Sequence, residues 1–422
     1  MTVLALPREA LVAADLQRQS AHWLSAAVTF EDAEEFASAQ AWASVEAQTG
    51  LPLRRQLGAA VRELVALGRE AHALATAART DGSRLPAAAR AVQVFRRRYT
   101  QVETTLEFFG DAVNSRTSAG LRATLRLLDS LAVQGMAPVL VPAGIPVPPV
   151  LCYVDKGLGA SILRAGIRLW HPGTVNPVAA IKVVRHNLYR PTSLFHETGH
   201  QVAHLTLWTG SVRDAIAGVL VGEPGLARMW EPWASEIAAD VFAFLSTGYA
   251  SVAALYDVVG DARTILRWPL GDPHPVGWLR TRLGCALCRA AGWGAGPWDG
   301  LEDAMLAAHP ASSADPSVAD LLARSVEYLP ALAGACLRAP VPALGGRPMA
   351  SALDPGRVSP AALDALERSA GAGAWTSPHW RRAEGIRLVA LAGLREAEDP
   401  DHAPAWIERA RAWMSSAPPA GG

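Results

Sequence analysis

The chain has 422 residues, of which 50% are hydrophobic and 18% are charged, and its 39 Lys and Arg balance its 39 Asp and Glu. This composition excludes a disordered protein, and the balanced charge gives no indication of a nucleic-acid or anionic-membrane partner. A chain of this length can form two or three domains, each with its own hydrophobic core.

The N-terminal part of the chain predicts a helical domain over residues 1–136. Residues 5–135 carry several amphipathic patterns rich in Ala, Leu, Arg and Glu, such as LGAAVRELVALGREAHALATAAR. No basic start followed by an apolar core precedes them, so we expect no secretory signal and a cytoplasmic protein. The uncharged run 131–154 is long enough to cross a bilayer, but its five prolines argue against a membrane span.

A proline-rich stretch at 137–149 predicts a domain boundary, and the β-rich part of the sequence follows it. We expect strands in VLCYVD (150–155), AGIRLWH (165–171) and VAAIKVVRHN (178–187), with a turn at HPGTVNP. Helical patterns then follow near 192–208, 211–221, 229–247, 275–292 and 316–338, with two more after Pro360. The expected fold is mainly α (α+β), with a small antiparallel sheet, a middle domain over 137–295 and a C-terminal helical region over 296–422.

His196, Glu197 and His200 form the pattern HExxH within LFHETGH. Residues four apart share one face of a helix, so both imidazoles can bind one metal ion while Glu197 holds a water on it. Chance alone yields such a match in roughly one or two of every hundred chains of this composition. The context strengthens it, because an expected strand lies directly upstream of the helix that contains the motif.

A catalytic zinc needs a third protein ligand and an open fourth position. WASEIAADVFAF offers Glu236 and, one turn later, Asp240 in an apolar helix. HExxH followed by ExxxD resembles the gluzincin metallopeptidases, over residues 180–285. The resemblance implies a zincin-like catalytic core in which Glu236 is the third zinc ligand and Asp240 orients His196 through a hydrogen bond.

A His-Pro element follows in DPHPVGWLRTRL, with Arg280 six residues after His274. This spacing is similar to that of the prenyl-protein and heat-shock membrane peptidases within the gluzincins. The resemblance implies that His274, with Arg280 nearby, stabilises the oxyanion of the tetrahedral intermediate. The alternative is a simple turn at the start of a helix. Those relatives also have transmembrane helices around the site, which this sequence lacks.

Other residues with metal-binding chemistry have simpler interpretations. Glu223 and Glu231 are rival third ligands, but neither has an acid one turn later. His204 lies one turn beyond His200, and a surface or supporting role is favoured over ligation. Cys285 and Cys288 form a CxxC inside an expected helix, and without a second CxxC they are better explained as buried residues than as a redox or metal pair.

The resemblance implies zinc-dependent hydrolysis of peptide bonds in a peptide or protein substrate, with Glu197 as the general base. The strand AAIKVVR is expected to be an edge strand that aligns an extended substrate. One alternative is a catalytically silent zinc-peptidase fold that acts as a sensor or protein-binding module through its helical flanks. Another is a different hydrolase on the same metal framework, such as an amidase. The intact Glu197 favours an enzyme.

Overall fold

The computed structural model describes residues 7–45, 47–167, 175–269 and 271–416. The chain divides into two compact units, one of residues 1–122 with 166–178, and one of residues 123–165 with 179–422. The described part is mainly helical with a small three-stranded sheet, so the expected mainly α class is confirmed. The zincin-like core and the three domain boundaries stay predictions.

The first unit is built from long amphipathic helices whose apolar faces pack on one another. Its helices are α1 (Arg8–Thr29), α2 (Ala39–Trp42), α3 (Ala47–Ala77) and α4 (Leu85–Asn114), and α5 (Ala119–Leu140) begins at its boundary. Leu64 of α3 and Phe95 of α4 are among its fully buried side chains. The 3.6-residue spacing of such residues is the pattern from which the sequence predicts these helices.

Helix α5 continues through Pro138 to Leu140, five residues beyond the helical pattern that the sequence predicts up to residue 135. Val139 and Leu140 are fully buried and extend the apolar face that Leu131 and Met136 begin. Burial of this apolar face offsets the penalty of a proline inside the helix, which is about 3 kcal/mol. The residues expected to be a linker therefore partly belong to α5.

Three short strands form one mixed sheet, β1 (Val150–Val154), β2 (Ser161–Leu163) and β3 (Ala179–Val183), in the order β1-β3-β2. Strand β3 runs parallel to β1 and antiparallel to β2. The expectation of an antiparallel sheet is therefore wrong for one of its two pairs. The long connection that leaves β1, forms β2 and returns at β3 allows the parallel pairing.

Two expectations about individual strands also need correction. AAIKVVR was expected to be an edge strand that aligns a substrate, but β3 is the central strand and is paired on both sides. AGIRLWH was expected to be a strand, but its residues 165–167 are not, and the remainder lies outside the described residues. Strand β2 was not expected, because its three residues follow the glycine-rich stretch KGLGA and are too few to show an alternating pattern.

The second unit contains the remaining helices. They are α6 (Thr192–Thr206), α7 (Trp208–Val219), α8 (Pro224–Trp230), α9 (Ala234–Thr247), α10 (Tyr249–Val259), α11 (Gly277–Ala290), α12 (Pro297–Ala308), α13 (Pro316–Val326), α14 (Leu329–Arg338), α15 (Pro360–Ala370), α16 (Gly373–Thr376), α17 (Pro378–Glu398) and α18 (Ala403–Ser415). The pattern predicts one helix over 229–247, whereas α8 ends at Trp230 and a short turn containing Pro232 separates it from α9. None of the helices in the described part combines the length and apolar character that a bilayer crossing requires.

Helices α6 and α9 pack face to face, and a glycine sets their distance. A Cβ added at Gly199 would lie 2.9 Å from Cβ of Phe242, closer than real Cβ atoms come, and 3.0 Å from Cα of Ala239. Only glycine permits this approach. Because Gly199 precedes His200 and Ala239 precedes Asp240, the close contact brings the HExxH face of α6 against the acidic face of α9.

Candidate metal centre

His196 and His200 lie one turn apart on α6 and face Glu236 in the first turn of α9. Nε2 of His196 lies 3.4 Å from Oε2 of Glu236, and Nε2 of His200 lies 3.2 Å from Oε1. One nitrogen from each ring and one carboxylate oxygen lie within 4.8 Å of one another. Two imidazole nitrogens and one carboxylate oxygen are the donor set of a common class of catalytic zinc site, so the residues present fit this metal.

The outer nitrogen of each imidazole faces a neighbour on α9. Nδ1 of His196 lies 2.8 Å from Oδ1 of Asp240, and Nδ1 of His200 lies 3.4 Å from Oγ of Ser235. These contacts favour the tautomer that leaves each Nε2 available as a metal ligand. Ser235 was not identified from the sequence. Its position directly before Glu236 was the only sequence feature that could have indicated a contact with the site.

Arg280 of α11 reaches the same carboxylates. It donates from Nε to Oδ2 of Asp240 at 2.5 Å and from Nη2 to Oδ1 at 2.8 Å, and Nη2 lies 3.4 Å from Oε2 of Glu236. The side chain is 9% exposed, so this two-point contact is shielded from water. The contacts of Arg280 indicate that it positions Asp240, whereas a role in binding the oxyanion stays a prediction.

The centre contains more carboxyl groups than guanidinium groups. Glu197, Glu236 and Asp240 supply three carboxyl groups, and Arg280 supplies one guanidinium. Burial raises the pKa of Glu197. Burial also acts to raise the pKa of Glu236 and of Asp240, but the neighbouring imidazoles and Arg280 hold both pKa values below their usual range. A buried cluster with this imbalance suits a divalent cation.

The imidazole of His196 responds to the same imbalance. Burial acts to lower its pKa, but the hydrogen bond and the charge of Asp240, together with Glu236, outweigh burial and raise the pKa to about 9. The carboxylates around this ring therefore favour positive charge on the ring itself.

A cavity of about 650 Å³ opens beside this centre. His196, Glu197 and Glu236 line one part of its wall. Glu197 is only 6% exposed, yet it faces this space, so its carboxyl group is placed to contact a molecule that enters. That position, one residue after His196 and beside both histidines, is the one from which a carboxylate can hold a metal-bound water.

His274 lines the cavity, and its side chain is 57% exposed. Its backbone N–H and its Nδ1 contact Oδ1 of Asp272 at 2.9 Å and 2.8 Å, and its Nε2 lies 3.8 Å from Oε2 of Glu236. Helix α11 begins at Gly277, not at residue 275 as expected, so His274 belongs to the turn before the helix. Asp272, two residues earlier, orients the ring and was not identified from the sequence.

Two further polar residues on the cavity wall were not identified from the sequence. Oδ1 of Asn187, which follows β3, and Oγ of Ser193 in the first turn of α6 are buried without a hydrogen-bond partner among the described residues. Leaving a buried polar atom unpaired costs about 1–3 kcal/mol. Both atoms are therefore candidates for contacts with a bound ligand, and neither carries a motif that sequence reasoning could detect.

The other residues that the sequence offered as possible metal ligands lie outside this group. Glu223 pairs with an arginine of α13, and Glu231 occupies the turn before α9. His204 is half-buried on α6, where burial and the charge of Arg164 lower its pKa. Within the described residues, the group of three or more side chains able to hold a metal ion is His196, His200 and Glu236.

Comparison with known proteins identified no relative of this chain. No protein-family model, curated protein or solved structure matches this chain. The functional interpretation therefore depends on the residues themselves and on the geometry of the centre.

Proposed function

We propose that this protein is a zinc-dependent metallopeptidase of the gluzincin type in which Glu197 is the general base. The observation that carries the proposal is the convergence of His196, His200 and Glu236 beside Glu197 on the wall of a cavity. A purely structural zinc site has four protein ligands and no need of an acid beside them. Three ligands and an adjacent carboxylate fit catalysis better.

In the proposed hydrolysis, the metal and the residues of the chain supply different functions. Zinc, when bound, supplies a Lewis acid for the scissile carbonyl and lowers the pKa of its water to about 7. Glu197 accepts the proton of the attacking water and returns it to the leaving amine. Asp240 and Ser235 keep the ring planes of His196 and His200 in place, and Arg280 in turn holds Asp240.

His274 is the proposed donor to the oxyanion of the tetrahedral intermediate. Its Nδ1 lies 2.8 Å from Oδ1 of Asp272, so Nε2 is the ring nitrogen left to contact an oxyanion. Because Nε2 lies 3.8 Å from a Glu236 oxygen, the donor is beside the candidate ligands without being one of them.

The decisive experiment compares wild type with Glu197→Gln. The variant should bind zinc with unchanged stoichiometry and keep its melting temperature, and it should lose hydrolysis of a mixed peptide library, since only the proton transfer is removed. Metal analysis, thermal unfolding and mass spectrometry of the peptides provide the three measurements. Glu231→Gln is the matched control and should keep both zinc and hydrolysis.

The other outcomes point to the alternatives. Undiminished turnover by Glu197→Gln would remove Glu197 from the mechanism. A wild-type protein that binds zinc and cleaves no peptide would favour the silent sensor or protein-binding module, and cleavage of simple amides without cleavage of peptides would favour an amidase. A protein that binds no zinc would overturn the proposal altogether.

A further inference from the structure

The first unit contains a cavity of about 380 Å³ that shares no residue with the one beside the candidate metal centre. Its volume lies within the range of about 300–1,000 Å³ that is typical of small-molecule sites. Phe30, Phe36 and Trp42 give its wall an aromatic part. Leu57 and Val61 of α3 add aliphatic surface. An apolar group of a ligand can therefore lose its contact with water there.

Charged groups of both signs line the same cavity. Arg54, Gly58 and Arg62 follow one another at four-residue spacing on α3, so they share one face of that helix. Glu31 reaches the cavity from the segment after α1. Among the described residues, none forms an ion pair with Glu31, Arg54 or Arg62. Unpaired charges are common on exposed surface, but these three share a wall with aromatic rings.

Two contacts hold the guanidinium groups along this wall. The guanidinium carbon of Arg54 lies 5.2 Å from the ring centroid of Trp42, and Nε1 of Trp42 donates to the carbonyl of Ala33 at 3.3 Å. A Cβ added at Gly58 would lie 3.3 Å from Nη1 of Arg62, so the Arg62 side chain folds back over this glycine. Glycine is less favourable than alanine inside a helix, so the open position between the two arginines lowers the stability of α3.

We propose that this cavity binds a free amino acid with a large apolar side chain, such as phenylalanine. Its carboxylate accepts hydrogen bonds from Arg54 and Arg62, and its ammonium group contacts the carboxylate of Glu31. Its side chain packs against the rings of Phe36 and Trp42. A simple anion offers Glu31 only like charge, whereas a zwitterion offers each of the three charged groups a partner of opposite sign.

The inference does not depend on the metallopeptidase proposal, because none of the candidate metal ligands lines this cavity. Titration calorimetry of the full chain with phenylalanine should show one saturable site. Binding should be the same with and without a metal chelator. Zinc-dependent binding would assign the amino acid to the metal centre and overturn the inference.

Three analogues of phenylalanine each remove one of the expected contacts. Phenylpropanoate lacks the ammonium group, phenylethylamine lacks the carboxylate, and alanine lacks the ring. Each should bind at least roughly 10-fold more weakly than phenylalanine, as the loss of a charge-assisted hydrogen bond or of a buried ring predicts. Equal binding of phenylpropanoate and phenylalanine would overturn the assignment of a zwitterion.

Variants locate the site on α3. Arg62→Gln should weaken phenylalanine binding by roughly 10–100-fold, because the ligand loses a charged donor. Arg55→Gln removes an exposed arginine of the same helix that does not line the cavity, and this matched control should bind as wild type does. Glu31→Gln should weaken phenylalanine binding by roughly 10-fold and leave phenylpropanoate binding unchanged.

Gly58→Leu keeps the inference testable if Arg62→Gln fails to fold. The added side chain occupies the space between the two arginines, so it should weaken phenylalanine binding by roughly 10-fold or more while α3 stays helical. Gly210→Leu, where no atom lies within 4 Å of an added Cβ, is its control and should bind as wild type does. Absence of saturable binding in wild type, or unchanged binding in the folded variants of Arg62 and Gly58, would overturn the inference and leave the peptidase proposal intact.

Discussion

At the scale of single residues, the outer nitrogens of two imidazoles decide which atoms face the candidate metal position. Asp240 contacts Nδ1 of His196 at 2.8 Å and Ser235 contacts Nδ1 of His200 at 3.4 Å, so each Nε2 points towards Glu236. Arg280 in turn fixes Asp240 by donating a hydrogen bond to each of its carboxylate oxygens. The orientation of the candidate ligand His196 therefore depends on residues outside the group that could hold a metal.

Asp240→Ala should weaken zinc binding by roughly 10–100-fold, because His196 loses the acceptor that orients its ring. The variant also leaves Arg280 buried without its main partner, so unfolding should become easier by on the order of 3 kcal/mol. Chelator competition measures the affinity, and urea denaturation of the zinc-loaded protein measures the stability. Asp257→Ala, which removes a carboxylate paired with Arg190, is the control for zinc affinity. Equal affinities of the Asp240 variant and wild type would show that this carboxylate does not support the ligand.

His274→Ala should lower kcat by about 10²–10³-fold, as the loss of an oxyanion donor typically does. The charge on the carbonyl oxygen develops in the transition state, so KM should change much less and zinc content should stay the same. Steady-state kinetics on one cleaved peptide measures both parameters. His402→Ala removes a surface imidazole with the same Nδ1 to aspartate contact, 2.8 Å from Asp399, and should leave kcat unchanged. A kcat close to that of wild type would reassign the oxyanion to another residue.

At the scale of elements, the centre is a contact between α6 and α9, two helices that are adjacent in space but separated along the chain by α7 and α8. Gly199 allows their backbones to approach. The buried Gln201 of α6 accepts a hydrogen bond from the N–H of Ala165 at 2.8 Å and donates to its carbonyl at 3.2 Å, which ties the chain after β2 to the same helix. The helix pair thus holds the candidate ligand residues, and α6 also holds the chain that follows β2.

Gly199→Ala should destabilise the protein by about 1–3 kcal/mol, because its Cβ would lie 2.9 Å from that of Phe242 and force α6 away from α9. The same displacement should weaken zinc binding, since Glu236 moves away from both histidines. Urea denaturation and chelator competition measure the two effects. Gly210→Ala in α7 is the matched control, because no atom lies within 4 Å of the added Cβ, and it should be neutral or stabilise by up to about 1 kcal/mol. Equal stability of the two variants would show that α6 and α9 do not touch at Gly199.

At the scale of the whole molecule, all four cysteines are buried and reduced, with exposures of 0–1%. Burial raises the pKa of Cys285 and of Cys336 to about 12, and it raises the pKa of Cys288 well above its ordinary value. Thiols with these properties react slowly, because the thiolate is the nucleophile and no reagent reaches it. Their reactivity therefore reports how often the structure opens.

At pH 7.5 the folded protein should react with a thiol reagent at the rate of unfolding, and all four thiols should react at once in urea. Because burial raises the thiol pKa values in the folded protein, the protonated thiols favour the folded state fully below the unfolded thiol pKa of about 8.5. This contribution to stability should be lost as the pH rises from about 8.5 towards 12. Val221→Cys, at an 82% exposed position, is the positive control and should add one fast thiol. Fast labelling of Cys285 and Cys288 in the folded protein would indicate an accessible pair with redox chemistry.

The local parts of this protein were predictable from the sequence alone. Apolar spacing indicated most of the helices, and the mainly α class followed from them. The spacing of His196 and His200, and of Glu236 and Asp240, placed each pair on one helical face, because residues four apart are neighbours in any α-helix. Such statements need only the geometry of one element.

The remainder depended on contacts between residues far apart in the chain. Arg280 meets Asp240 across 40 positions, and β3 lies between β1 and β2 rather than at an edge. No periodicity encodes these pairings, because each is selected by the burial of surfaces that several elements form together. The contacts of Ser235 and Asp272, and the cavity beside the candidate metal centre, exist only once α6, α9, α10 and α11 have packed. The sequence alone determined which residues can bind a metal, and the tertiary structure decided which of them meet and what space they enclose.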